Sequence, residues 1–273
     1  MKSIDIEKAL RQKYKGYLPR FVFPILERIV HQDELNEMLK FQKEVGGVEF
    51  AGKILDYLDI QVEGVGLHRL PPLQERCIIV SNHPLGGVDG IALTGALGKH
   101  YQGKIKMPVN DLLLNVEQFS DVFIPVNKYG RQGRKRHQLL DEALQSDDQI
   151  ITFPAGFCSR YDDHGNIRDR VWAPSFVRWA RKYDRTIVPL FFEATNSERF
   201  YRIAKMRERL KIKFNYELVL LPDEMIRAKH SSFRFIVGEP IPQSALPAMP
   251  SGDPVFAQQV RDALYTYPDK YNE

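Results

Sequence analysis

Residues 76–97 read RCIIVSNHPLGGVDGIALTGAL, which is the pattern of a strand, a glycine-rich loop and a helix. The apolar run Cys77–Val80 is typical of a buried strand, and residues 91–97 indicate the opening of a helix. The loop between them carries a histidine, His83, and a carboxylate, Asp89. Open α/β sheets place their chemistry at corners of this kind. The segment therefore predicts an α/β fold with a functional site at this corner.

The distance between His83 and Asp89 depends on how this loop folds. Six residue steps separate them, and a fully extended chain would span roughly 20 Å over that length. The side chains meet only if the loop curls, which Gly86 and Gly87 allow because glycine reaches positive φ without a Cβ clash. The alternative is a histidine held in a turn and an aspartate that serves as the N-cap of the next helix.

Strand and helix patterns alternate along most of the chain. Residues 4 to about 58 lack strand alternation and predict three or four short helices. From residue 60 onward, short β-rich runs alternate with helical ones, which predicts a mixed, largely parallel sheet covered by helices and preceded by the N-terminal helical region. The predicted strands are Ile60–Val65, Cys77–Val80, Ile105–Val109, Val122–Val126, Ile150–Phe153, Ile187–Glu193 and Phe233–Val237.

We expect the chain to have three parts. Its 273 residues are enough for one large α/β domain with an additional helical region. The N-terminal helical region covers residues 1–58, the α/β domain covers 59–245, and a C-terminal tail covers 246–273. The tail begins proline-rich and carries one predicted helix near Val255–Tyr265.

Composition favours a reducing, cytoplasmic setting. The two cysteines, Cys77 and Cys158, cannot form a disulfide scaffold, and no N-terminal stretch has the pattern of a secretory signal. The longest apolar runs, such as residues 187–192, fall far below the roughly 18 residues that a membrane-spanning helix needs. We therefore expect a cytoplasmic protein whose contact with lipid is peripheral, at the inner face of the cell membrane.

Basic residues concentrate in two stretches. Residues 127–136 contain five cations and no acid, and a second basic stretch runs from residue 199 to residue 213. In the second stretch, apolar residues recur at helical spacing, which is typical of a helix that lies on a membrane surface. The same pattern also fits an ordinary amphipathic helix with a solvated basic face. The apolar residues of this second stretch are Phe200, Ile203, Met206 and Leu210.

The chain has no glycine-rich nucleotide motif, and we expect no nucleic-acid partner.

Four sequence blocks occur in a characteristic order. They are Asn82-His83 with Asp89, then Phe123–Val126, Phe153–Arg160 and Ile187–Leu190. Together they resemble the four blocks of the glycerolipid and lysophospholipid acyltransferase family, over roughly residues 75 to 195. The Asn-His-Pro-Leu-Gly-Gly form is similar to a subgroup of bacterial hemolysin-like and amino-acid-lipid (ornithine or glycine lipid) acyltransferases.

The resemblance implies a reaction and its partners. A fatty acyl group would pass from a thioester donor, acyl carrier protein or acyl-coenzyme A, to the hydroxyl of a lyso-lipid, with no cofactor and no metal. Two departures from the family pattern bear on the acceptor. Five residues rather than four separate His83 from Asp89, and Ala155 stands where the family usually has glutamate. We therefore expect a lyso amino-acid lipid as the acceptor rather than a glycerol phosphate.

The same resemblance assigns roles to single residues. His83 is the general base that removes the hydroxyl proton, and Asp89 fixes its tautomer and stabilises the imidazolium. Backbone N–H groups of the loop glycines are candidate donors to the developing oxyanion. Arg160 either binds an anionic group of the substrate or pairs with a neighbouring aspartate, Asp162 or Asp163. The predicted substrate-binding residues are Gly86, Gly87, Arg131, Gly156 and Arg160.

Other interpretations stay open at this point. Cys158 is a possible nucleophile activated by His83, although cysteine is more often a small buried apolar residue. A serine hydrolase is disfavoured because the chain has no Gly-x-Ser-x-Gly motif. A non-catalytic peripheral lipid-binding protein would need only the basic helices. Residues 162–166, Asp-Asp-His-Gly-Asn, predict a turn rather than a metal loop.

Overall fold

A seven-stranded sheet forms the centre of the molecule. The computed structural model describes residues 7, 19, 22–40, 45–109, 116–126, 133–212 and 215–271. Two further strands form a separate antiparallel hairpin. The strands of the sheet are β1 (Gln61–Val65), β2 (Cys77–Ser81), β3 (Ile105–Val109), β4 (Phe123–Pro125), β5 (Gln149–Thr152), β8 (Thr186–Glu193) and β9 (Ser232–Val237), and those of the hairpin are β6 (Arg160–Tyr161) and β7 (Ile167–Arg168).

The order of the strands confirms the predicted mixed, largely parallel sheet. Across the sheet the order is β1-β9-β8-β2-β5-β3-β4. The strands from β8 to β4 run parallel to one another, whereas β9 pairs antiparallel with β8 and parallel with β1. Each of the seven predicted strands coincides with one of these, within one or two residues at either end.

Helices precede the sheet and cover it, as predicted. Within the described ranges, none of them has both the length and the apolar character needed to cross a bilayer. The predicted domain boundaries at residues 58 and 245 stay predictions. The helices are α1 (Val22–Ile29), α2 (Gln32–Leu39), α3 (Gly47–Tyr57), α4 (Val88–His100), α5 (Gly133–Gln145), α6 (Ser175–Tyr183), α7 (Glu198–Arg209), α8 (Leu221–Arg227), α9 (Asp253–Leu264) and α10 (Tyr267–Lys270).

The sheet carries a hydrophobic core on each face. Every residue of β2 is buried, as expected for a central parallel strand covered on both sides. Alternate residues of β2 join a core with α3 and α4 on one face and a core with α5, α6 and α9 on the other. Gly98 of α4 permits close packing of α3, because a Cβ there would lie 2.5 Å from a methyl carbon of Val48. The helices are thereby fixed against the strand that leads into the His83 loop.

Three loops meet at one edge of the sheet. Since β5, β2 and β8 are parallel neighbours, the loops that follow them emerge side by side. The side chain of Asn82 holds two of these segments together, because its amide donates to the Phe192 carbonyl (2.9 Å) and accepts from the Phe192 N–H (2.6 Å). The Asn196 amide also donates to the carbonyl of Pro84 (3.1 Å). The fold thus brings the first, third and fourth sequence blocks together.

A buried guanidinium, that of Arg185, lies at the opposite end of the central strands, where β2 and β8 begin. Arg185, which directly precedes β8, is 1% exposed. It donates hydrogen bonds only to backbone carbonyl oxygens, which belong to Cys77, Ala143, Leu144, Ser146 and Asp148. These carbonyls lie at the start of β2, in the last turn of α5 and in the connection from α5 to β5. One side chain therefore joins β2, α5 and the segment that follows α5.

Replacing Arg185 should destabilise the fold strongly. We expect Arg185→Met to lower the free energy of unfolding by about 3–5 kcal/mol, because buried carbonyls would lose their charged donor. Urea denaturation followed by circular dichroism measures this change. Arg178→Met, on the exposed side of α6, is the matched control and should leave stability nearly unchanged. Equal stability of the two variants would contradict this role of Arg185.

Candidate active site

The curled loop brings His83 and Asp89 into direct contact. The Nδ1 atom of His83 lies 2.9 Å from Oδ2 of Asp89. Gly86 makes the curl possible with a φ of +73°, in the left-handed region that favours glycine. The imidazole keeps 17% of its side-chain surface exposed, whereas the Asp89 side chain is fully buried. The five-residue spacing is therefore compatible with a histidine–aspartate pair.

Backbone N–H groups also hold the Asp89 carboxylate. Oδ2 accepts from the N–H groups of Leu85 (2.9 Å) and Gly86 (3.3 Å), and Oδ1 accepts from those of Gly87 (3.0 Å) and Gly90 (2.9 Å). Asp89 thus pairs with His83 and also satisfies N–H groups at the start of α4. The N–H groups of Gly86 and Gly87, which were predicted as donors to an oxyanion, donate to the Asp89 carboxylate in this structure. Substrate contact by Gly86 and Gly87 stays a prediction.

The two partners shift each other's pKa in opposite directions. Burial lowers the pKa of His83, but the charge and hydrogen bond of Asp89 outweigh it, with help from Asp169, and the net pKa is raised. Burial raises the pKa of Asp89, and His83 with the loop N–H groups lowers it below its ordinary value. Nδ1 therefore donates to an ionised Asp89, which leaves Nε2 as the nitrogen that could exchange a proton. Nε2 has no hydrogen-bond partner within the described part of the chain.

The ring of His83 is also fixed from one side. It stacks on Phe153, with the ring centroids 4.1 Å apart and the planes inclined by 26°. Phe153 follows β5 directly and opens the third sequence block. The backbone N–H of Ser159, in the same block, donates to the carbonyl of His83 (2.8 Å). The first and third blocks thus form a single site.

Cys158 lies in the site as a buried thiol. Its side chain is next to Gly86, and burial raises its pKa although nearby Arg160 partly opposes the shift. A thiol with a raised pKa forms little thiolate at neutral pH, and the thiolate is the nucleophilic form. The structure therefore favours the interpretation of Cys158 as a small buried apolar residue.

Arg160 is buried in an ion pair that the sequence did not predict. Its Nη2 lies 3.0 Å from Oε1 of Glu217, not beside Asp162 or Asp163, so the predicted alternative pairing is wrong. Its Nη1 donates to the carbonyls of Cys158 and Ser159, and its guanidinium lies over a phenylalanine ring, that of Phe200. A second arginine, Arg207, contacts the other oxygen of the same glutamate at 2.9 Å. Substrate binding by Arg160 stays a prediction.

Of the remaining predicted features, the structure describes the turn at residues 162–166 and Gly156 but not Arg131. Asp162 accepts from the N–H groups of His164 and Asn166 and shapes the turn between β6 and β7, which confirms the predicted turn. Gly156 has a φ of +68° and open space around its Cβ position, and its substrate contact stays a prediction. Arg131, with the rest of residues 127–132, lies outside the described residues.

A cavity of about 340 Å³ opens beside the histidine loop. Its lining includes Asn82 and Pro84, which flank His83 in sequence, together with Ser159, Phe191 and Tyr265. A larger cavity of about 470 Å³ lies between β3, β4 and α5, and no predicted site residue that the structure describes lines it. The smaller cavity is therefore the one that adjoins the site.

Sequence reasoning missed a second buried carboxylate near the histidine. Asp169 is 4% exposed, and its Oδ1 accepts from the backbone N–H of His83 at 3.2 Å. It stands between two cations, Arg168 and Arg170, in a stretch that looks like a solvated surface. Neither spacing nor motif distinguishes it, since 86 residues separate it from His83.

Comparison with known proteins finds relatives over nearly the whole chain. A family model described as Acyltransferase matches residues 6–266. A lyso-glycine lipid O-acyltransferase of Phocaeicola vulgatus is 44% identical over an alignment of 271 positions, which covers 96% of this chain and 94% of that protein. A lyso-glycine lipid O-acyltransferase of Bacteroides thetaiotaomicron is 41% identical over an alignment of the same length, which covers 96% of either chain. The crystal structure of a 1-acyl-sn-glycerophosphate acyltransferase from Thermotoga maritima covers 95% of this chain and 88% of its own, with 12% identity and a TM-score of 0.47.

Gly86 should tolerate a side chain less well than Gly156. An added Cβ at Gly86 would lie 3.0 Å from side-chain atoms of Cys158, whereas the same atom at Gly156 meets open space. Both residues have positive φ, so each alanine variant bears a backbone cost of about 1–2 kcal/mol. Crowding adds about 1–3 kcal/mol at Gly86 alone. Urea denaturation of Gly86→Ala and Gly156→Ala measures the difference, and equal losses would show that the packing around Gly86 is not restrictive.

Proposed function

The chain belongs to the acyltransferase family, and on that premise we propose that it transfers a fatty acyl group from a thioester to the hydroxyl of a lyso-lipid. The observation that carries this proposal is the hydrogen bond between His83 and a buried, ionised Asp89. This pair provides a base of fixed tautomer at the edge of the sheet where three loops meet. No serine elbow accompanies it in the sequence, and the adjacent thiol has a raised pKa. The pair is therefore suited to activating a hydroxyl of the substrate.

The proposed step uses His83 first as a base and then as an acid. Nε2 takes the proton of the acceptor hydroxyl while the oxygen bonds to the thioester carbonyl carbon. Asp89 stabilises the imidazolium that forms. When the tetrahedral intermediate collapses, the C–S bond breaks and the imidazolium protonates the departing thiolate. The products are an ester and a free thiol, so the step needs no acyl-enzyme.

The acceptor that we propose is a lyso-glycine lipid. Two relatives that are 44% and 41% identical over nearly the full chain carry that activity in their names. Ala155, where glycerol-phosphate enzymes resembling this chain usually have glutamate, is consistent with a different head group. The donor is an acyl thioester on a phosphopantetheine arm, carried by acyl carrier protein or by coenzyme A.

The surface through which we propose that the enzyme meets lipid is the outer face of α7. The apolar stripe of this helix is divided, because Phe200 is buried in the core whereas Met206 and Leu210 are 51% and 61% exposed. Exposed cations, Arg209 and Lys211, lie beside these two side chains. An apolar strip with a cationic border suits peripheral binding to an anionic bilayer. We therefore propose a peripheral enzyme that works in the cytoplasm at the inner face of the cell membrane.

An assay with defined substrates tests the proposed reaction. The purified protein is incubated with acyl-coenzyme A or acyl carrier protein and with lyso-glycine lipid or lysophosphatidic acid, and the products are identified by mass. We expect ester formation on lyso-glycine lipid. His83→Ala should lower the rate by about 10²–10⁴-fold, because the general base is lost. His164→Ala, in the exposed hairpin turn, and Cys158→Ala should retain activity.

Three outcomes of this assay would contradict the proposal. Loss of activity in Cys158→Ala, with the fold intact, would favour a thiol nucleophile. Release of free fatty acid without ester formation would favour a hydrolase. Binding of lyso-lipid without any turnover would favour a non-catalytic lipid-binding protein.

The membrane surface is tested by sedimentation with lipid vesicles. We expect the protein to bind vesicles that contain phosphatidylglycerol more tightly than vesicles of phosphatidylcholine, and salt should weaken the binding. Leu210→Ser should weaken it several-fold, since an exposed apolar anchor is removed. Val255→Ser on α9, where the valine is 63% exposed, is the matched control. Equal binding by both variants would exclude this face of α7 as the contact.

A further inference from the structure

Asp169 is a second buried carboxylate that contacts the histidine loop. Its Oδ1 accepts from the backbone N–H of His83 (3.2 Å) and from the hydroxyl of Ser159 (2.7 Å). Its Oδ2 accepts from the indole N–H of Trp172 (2.8 Å). Three donors from three different segments therefore converge on one carboxylate, as a buried charge requires.

Two of these hydrogen bonds belong to a closed ring around the backbone of His83. The N–H of Ser159 donates to the carbonyl of His83 at 2.8 Å, and its hydroxyl donates to Asp169. Asp169 in turn accepts from the N–H of His83. Both backbone polar groups of His83 are thereby tied to the Asp169–Ser159 pair, while Asp89 and Phe153 hold the imidazole.

Rigid parts of the fold hold Asp169 itself. Its backbone N–H donates to the hydroxyl of Tyr265, at the end of α9 (2.7 Å). Trp172 is fully buried and packs edge-on against Phe176 of α6. The position of the carboxylate is therefore set by the helices on one face of the sheet, not by the loop that it contacts.

Asp169 also contributes charge at the imidazole. The charged groups that act on His83 are Asp89 and Asp169, which favour the imidazolium, and Arg160, which opposes it. Burial raises the pKa of Asp169 above its ordinary value, although hydrogen bonds from Ser159, Trp172 and His83 partly oppose the shift. Tyr265, the other titratable group in contact, is kept neutral by burial, which raises its pKa. Loss of the Asp169 charge should thus make the imidazolium less stable.

We propose that Asp169, acting with Ser159, is a positioning residue that fixes the backbone of His83 and brings a second carboxylate into contact with that residue. This inference rests on the proposed function for its kinetic consequence. The geometric and electrostatic part applies to the free protein and needs no substrate. Neither residue is assigned contact with the reacting atoms.

Removing the charge of Asp169 should change both titration and turnover. In Asp169→Asn the pKa of His83 should fall, because a neighbouring negative charge is lost, and NMR titration of the imidazole measures it. The neutral base would then persist to lower pH, so the acid limb of the pH–rate profile should move to lower pH. At the plateau, kcat should fall about 10–100-fold with KM nearly unchanged. Asp163→Asn, the same change at an exposed position of the hairpin, should alter none of these values.

A second variant separates position from charge. Ser159→Ala removes one hydrogen bond of the ring but keeps the carboxylate of Asp169. We expect its kcat to fall while the pKa of His83 falls less than in Asp169→Asn, because the carboxylate stays in place although it loses one donor. If Asp169→Asn fails to fold, the wild-type protein supplies the test: the amide proton of His83 should shift at the pH where the ¹³C-labelled carboxyl of Asp169 titrates.

The outcomes distinguish this inference from the proposed function. The inference would be overturned if the pKa of His83 were the same in Asp169→Asn as in the wild type. It would also be overturned if the chemical shift of the His83 amide proton did not change as Asp169 titrates. A wild-type protein that lacks acyl transfer would overturn the proposed function alone, since the NMR titrations use no substrate. A shifted titration and a lowered kcat together would support both.

Discussion

The structure of the site depends on the buried negative charge of Asp89. A carboxylate without solvent is costly unless it is paired and hydrogen-bonded. Here one imidazole and four backbone N–H groups satisfy it, all from residues 83–90. The loop can supply these donors only if it curls around the side chain. The same interaction therefore shapes the loop, begins α4 and orients His83.

The parallel sheet explains why other blocks of the sequence join this loop. Neighbouring strands that run in one direction deliver their following loops to one edge. Phe153 and Ser159 reach His83 from the loop after β5, and Asn82 contacts the end of β8. Asp169 accepts a hydrogen bond from the backbone N–H of His83. An imidazole that is held at its ring and at its backbone has little freedom to change its position.

The structure explains how the loop accommodates one departure from the family pattern. The additional residue between His83 and Asp89 is accommodated in a turn where Gly86 has positive φ.

The buried ion pair of Arg160 with Glu217 means that an arginine of the third block supports the loop from within the core. The charge of that arginine is compensated inside the protein. Its predicted contact with substrate would therefore require a rearrangement of a buried ion pair.

The sequence by itself determined the strands, the loop and the histidine–aspartate pair. These features follow from local periodicity, from glycine conformation and from residues only six positions apart. Only the tertiary structure decided the partners of Arg160 and of Asp169, because 57 and 86 residues separate the residues that meet. It also decided that the loop glycine N–H groups donate to Asp89. The physical reason is that hydrogen-bond partners of buried charges are selected by packing, which a one-dimensional pattern does not contain.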